Sequence, residues 1–180
     1  MRHQSEAHAQ FKPVNTIIFR TGNRSVVMRQ SSSKVKGVLM RVCGVELKGS
    51  DAIICLLELN EGLFSLPDCR VPRIVIKDAA DGDQLRHFQF TFTKLVADYK
   101  VDQVVIRERH MRGKFAGGAA GFKLEATLQV TPELDVRLIS SSEIKEILKT
   151  TELMIEFSQT GLKKFQEDAF TTAFAYLSKR

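Results

Sequence analysis

Between residues 41 and 66, three apolar runs follow one another with only tight-turn chemistry between them. Val42-Cys43-Gly44-Val45-Glu46-Leu47 meets Ala52-Ile53-Ile54-Cys55-Leu56-Leu57-Glu58-Leu59 across Lys48-Gly49-Ser50-Asp51. Asn60-Glu61-Gly62 then leads into Leu63-Phe64-Ser65-Leu66. Turns this short can join only antiparallel neighbours. The third run is interrupted, because Pro67 and Pro72 separate it from Arg73-Ile74-Val75-Ile76. Proline cannot donate to a ladder, so a bulge or bend near the sheet edge is expected there.

Past Asp81-Gly82-Asp83, which offers a helix cap, the period changes. Leu85, Phe88, Phe92, Leu95, Val96 and Tyr99 recur at helical spacing. Residues 101–106 form a strongly apolar fourth strand, and residues 107–113 a polar loop. Residues 115–130 read as a helix rich in Gly and Ala, and residues 134–139 as a fifth strand. Ser140-Ser141-Ser142-Glu143 caps a short helix through Leu148. Residues 150–161 are irregular, and residues 162–177 form the closing helix. Later strands that return through helices lie parallel to a partner. The expected architecture is α/β: a mixed five-stranded sheet, in the order βββαβαβα, with helices on both faces.

Charge divides the chain. Of 27 Lys and Arg, seven lie in residues 1–39, against the single acid Glu6, so this segment carries the whole net charge of +6. Residues 40–180 are neutral, and the chain's basicity therefore gives no argument that they bind nucleic acid. Residues 1–39 are expected to be a basic, poorly ordered segment. They contain a polar linker over residues 30–37 and a weak hairpin around Gly22-Asn23. The organised pattern begins abruptly at Met40, which makes Met40 a candidate start position, with one domain over residues 40–180. Cys43, Cys55 and Cys69 are odd in number and lack metal-ligand spacing, which reads as reduced thiols in a cytoplasmic protein. No run approaches the roughly 18 apolar residues of a membrane span.

The element order, with Gly44-Val45-Glu46-Leu47-Lys48-Gly49 on the first hairpin, resembles the ribonuclease-H-like superfamily. Within it, the chain is most similar to RuvC-type Holliday-junction resolvases. Val104-Val105-Ile106-Arg107-Glu108 is similar to their fourth strand, which ends in an acid. Ser140-Ser141-Ser142-Glu143-Ile144-Lys145 is similar to a later helix start, and Asp168-Ala169-Phe170-Thr171-Thr172-Ala173 to the closing helix. The same stretch also resembles a small bacterial family catalogued only as a domain of unknown function.

The resemblance implies a nuclease in which carboxylates from separate elements hold Mg²⁺ or Mn²⁺ and activate water. Glu46, Glu108 and Asp168 are the residues it would assign to metal and catalysis. Lys48, Arg107, Arg109, Arg112 and Lys114 would hold the phosphates of DNA or RNA. The sequence departs from that pattern in three places. Glu46 is a methylene longer than the usual Asp. Arg107 stands in register with the second acid, so Glu108 serves only if the strand has ended or bulged. Phe165 falls at the second acid of the last helix. The competing expectation is a module that kept the fold, lost the metal site and binds nucleic acid or protein, with a homodimer also compatible. For Gly117-Gly118-Ala119-Ala120-Gly121, close packing of helix on sheet is favoured over a phosphate cradle.

Overall fold

The computed structural model describes residues 14–21, 24–31, 39–114, 116–151 and 157–179, the first two stretches by their backbone. Those two are strands β1 (Val14–Thr21) and β2 (Arg24–Ser31), an antiparallel hairpin, as the Gly22-Asn23 turn predicts. Residues 32–37 of the expected linker lie outside the described residues.

The main sheet begins with β3 (Met40–Lys48) and β4 (Asp51–Asn60), paired antiparallel from Met40↔Leu59 to Lys48↔Asp51. Gly49 closes the turn at φ 62°, a left-handed conformation that costs glycine little. The interrupted third run becomes two short strands, β5 (Leu63–Ser65) and β6 (Arg73–Val75). Both pair antiparallel with β4, at its two ends. Helix α1 (Gly82–Asp98) starts at Asp81, whose carboxylate accepts from the Asp83 amide. Strand β7 (Gln103–Arg107) inserts parallel to β3, and β8 (Val136–Ile139) parallel to β7. Between these two strands runs α2 (Ala119–Gln129), followed after β8 by α3 (Ser141–Thr150) and α4 (Glu167–Ser178). The sheet order is β5-β4-β3-β7-β8, with β6 beside β4.

Alternation along β3 and β7 sends side chains to two cores. Val42 and Val105 pack with Ala169, Phe170, Ala173 and Phe174 of α4 on one face, where Ile144 of α3 also lies. Cys43, Val45, Val104 and Ile106 pack with Phe88 and Phe92 of α1 and Leu124 and Leu128 of α2 on the other. Among the described residues no helix is long and apolar enough to cross a membrane.

Candidate functional site

The candidate site is built on the α4 face, where β3 and β7 end together. Gly44 lets the last helix sit directly on the sheet. A Cβ there would lie 2.2 Å from the Ala169 carbonyl oxygen and 2.8 Å from the Ala173 Cβ. That contact brings the first turn of α4, with Asp168, toward Glu46, which lies two residues beyond Gly44 on the same face of β3. Strand β7 is registered Val45↔Ile106, so Arg107 emerges alongside Glu46.

Arg107 ties these elements together. Its Nη1 donates to Asp168 Oδ1 at 2.6 Å, and its Nη2 to Thr171 Oγ1 at 3.0 Å. Its Nε lies 3.9 Å from Glu46 Oε2, an ion-pair distance too long for a hydrogen bond. Both of those atoms are buried without a hydrogen-bond partner. Burial pushes the Glu46 carboxyl above its ordinary range. The Asp168 charge adds to this, while Arg107, Arg109 and Lys48 oppose it.

Of the three acids the sequence nominates, the fold brings Glu46 and Asp168 to one guanidinium and leaves Glu108 apart. Strand β7 ends at Arg107, and Glu108 follows it exposed, with its amide donating to Ile139 O at 2.9 Å. A step of one residue reverses the face, and the Glu108 charge is felt instead by Glu125 of α2. Among the described residues no three His, Cys, Asp or Glu side chains gather as a metal would require. The donor set does not fit a divalent cation, because Arg107 already places a positive charge between the two acids that converge.

The basic residues also divide. Arg109 turns inward rather than toward a ligand strand. Its Cζ lies 5.8 Å from the Phe122 ring centroid, and Cβ atoms built on Gly117 and Gly121 would fall 2.6 and 2.5 Å from its guanidine group. Where the sequence favours close packing of helix on sheet for the glycine-rich stretch, Gly117 and Gly121 lie against the Arg109 side chain instead. Lys48, Arg112 and Lys114 are exposed, at the same end of the sheet as Glu46. Phe165 is 39% exposed, with Arg73 stacked over its ring.

Sequence reasoning missed two residues. Glu125 is 9% exposed and its Oε2 has no hydrogen-bond partner; burial raises its pKa, against the pull of Arg109. The signal was its place between Gly121 and Leu128, on the helical stripe that faces the sheet. Thr171, which Arg107 bonds, carried no signal beyond lying three residues after Asp168. A cavity of about 630 Å³ lies elsewhere, between the loop at Arg70 and α1, lined by Lys94, Leu95 and Tyr99. It holds none of these acids.

The strand order and the two helix layers define a ribonuclease-H-like fold of the RuvC type. RuvC from Thermus thermophilus superposes with a TM-score of 0.60 at 11% identity, covering 77% of this chain and 94% of that one. T. thermophilus RuvC in complex with a Holliday junction substrate gives 0.55 at 12% identity, covering 77% and 93%. At such identities the likeness is one of fold. The chain itself belongs to the family described as Protein of unknown function (DUF3010), whose family model matches residues 40–176. No curated protein sequence matches it.

Proposed function

We propose that this protein is a nucleic-acid-binding module that uses the RuvC-type fold without its metal chemistry. One observation carries the reading: Arg107 bonds Asp168 and Thr171 and faces Glu46 where the sequence pattern would place an acid. A divalent cation entering between the two carboxylates would have to displace a tethered guanidinium and accept its repulsion at close range. Glu108, on the opposite side of β7, supplies no replacement ligand. Binding is supported by the exposed Lys48, Arg112 and Lys114 at the same end of the sheet, and by the RuvC neighbour that was solved with a Holliday junction.

The test pairs binding with cleavage. Fluorescence anisotropy with branched and linear DNA is expected to show salt-sensitive binding. Replacing Lys48, Arg112 and Lys114 together by Ala should weaken it by about tenfold and flatten the salt dependence. Calorimetric titration with Mn²⁺ is expected to show no tight site. Mg²⁺-dependent cleavage of branched DNA that disappears in Glu46→Gln would overturn the reading and restore a nuclease.

A further inference from the structure

At the carboxyl ends of β7 and β8 the chain leaves the sheet in opposite directions. The β7 connection leads to α2, whose Leu124 and Leu128 pack on one face. Strand β8 runs into α3, whose Ile144 packs on the other. Parallel neighbours whose connections part in this way open a crevice between them, and open α/β sheets take their ligands in such crevices. Here it is a cavity of about 470 Å³, within the usual range for small-molecule sites.

Its two walls differ in chemistry. The α3 wall presents the hydroxyls of Ser141 and Ser142 and the Lys145 ammonium. The β7 wall presents His110 and the Glu108 carboxylate, with Arg109 lining it while its guanidine group packs away against Gly117, Gly121 and Phe122. Ser140 is committed to the fold, since its Oγ accepts from the Glu143 amide at 3.1 Å and lies 2.9 Å from Ser142 Oγ. Glu143, an acid that would repel an anion at this helix start, is ion-paired with Lys179. The Lys145 ammonium and the hydroxyls of Ser141 and Ser142 therefore outnumber the one carboxylate. That carboxylate opposes a continuous chain of phosphates, but it suits a ligand that brings a donor of its own.

We propose that this crevice binds a phosphorylated small molecule of nucleotide size. The phosphate lies against Ser141, Ser142 and Lys145, and a sugar hydroxyl or amino group of the ligand donates to Glu108. The site is separate from the Glu46–Arg107–Asp168 cluster, and its occupancy does not depend on whether the protein also binds a nucleic-acid strand.

Isotope-labelled full-length protein titrated with adenosine monophosphate, adenosine, inorganic phosphate and a short single-stranded DNA provides the test. The monophosphate should shift the amides of Ser141, Ser142 and Lys145 saturably, inorganic phosphate should do so more weakly, and adenosine should not. Lys145→Glu, at an exposed position, should weaken the monophosphate at least about tenfold, while Lys94→Glu on α1 leaves it unchanged. Glu108→Gln should shrink the advantage of the monophosphate over inorganic phosphate. Equal shifts from adenosine, or no shifts at these amides, would overturn the proposal. So would DNA that binds there more tightly than the monophosphate and through Lys145, which would make the crevice a strand-phosphate site. A protein that binds the monophosphate but no DNA would retain this site and lose the module reading above.

Discussion

Arg107 and Arg109 leave the same strand end two residues apart and meet opposite fates. Arg107 is held by directed contacts: two hydrogen bonds to α4 and a carboxylate facing its Nε. Arg109 is held by shape, wedged against two glycines and a phenylalanine ring with its Nε unsatisfied. The layers behind them differ likewise. The α4 layer touches the sheet backbone to backbone at Gly44, whereas α2 is kept off the strand end by a flexible side chain. Equal charge in a basic loop thus says little about role; the face of the sheet decides it.

The largest effect expected from breaking this contrast is at Gly44. Gly44→Val would drive a side chain into the Ala169 carbonyl, which cannot move without the helix, and should cost about 3 kcal/mol or more in urea denaturation. Near-normal stability would mean that α4 is not seated on this strand. Next is Arg107→Ala, which strands the two acids and should cost about 2 kcal/mol at neutral pH. Glu46 has a pKa raised above its ordinary 4.5, so the native state keeps its proton to higher pH than the unfolded chain does. Stability linked to it therefore falls as pH rises through that window. Without Arg107 the fall should be steeper. The deficit against wild type should be larger at pH 7 than near pH 4, and a deficit independent of pH would remove Glu46 from the account.

On the α2 side the effects should be smaller. Gly121→Ala meets only the far end of Arg109, which can shift, and should cost about 1 kcal/mol. Adding Arg109→Ala should relieve part of that loss, and strict additivity in the double-mutant cycle would show that the two do not touch. Smallest is Glu125→Gln. Its acid is also raised by burial, so the substitution should gain a little stability at neutral pH and nothing in acid. Thermal melts at the two pH values measure the difference.

The sheet was legible because its hairpin is written in local turn chemistry and its later strands in apolar runs between helical periods. The split of the third strand was legible in kind, since Pro67 and Pro72 forced a break. That both pieces pair with β4 depends on distant backbone. Helix boundaries drifted where tertiary contacts override propensity. Helix α2 begins at Ala119 rather than near residue 115, with Gly118 as its extended N-cap and Gly117 packed against Arg109. Helix α4 begins at Glu167 rather than residue 162, because Gln166 is buried and donates to Ile54 O at 2.8 Å. The approach of Asp168 to Glu46 follows from the fold resemblance. That Arg107 would bond Asp168 and face Glu46 was not legible: strand alternation placed its side chain on that face, but its direction is set by Asp168 and Thr171, which α4 brings from distant sequence.

Cys43 and Cys55 stand on one hairpin yet belong to opposite cores, each buried deeply enough that its thiol is pushed well up in pKa. Cys69 alone is partly exposed. An alkylating reagent should therefore modify one thiol in the native protein and reach the others only when a layer opens. The molecule carries two internal timers, Cys55 for release of the α4 layer and Cys43 for release of α1 and α2. The order in which mass spectrometry finds them labelled would reveal which side of the sheet comes undone first.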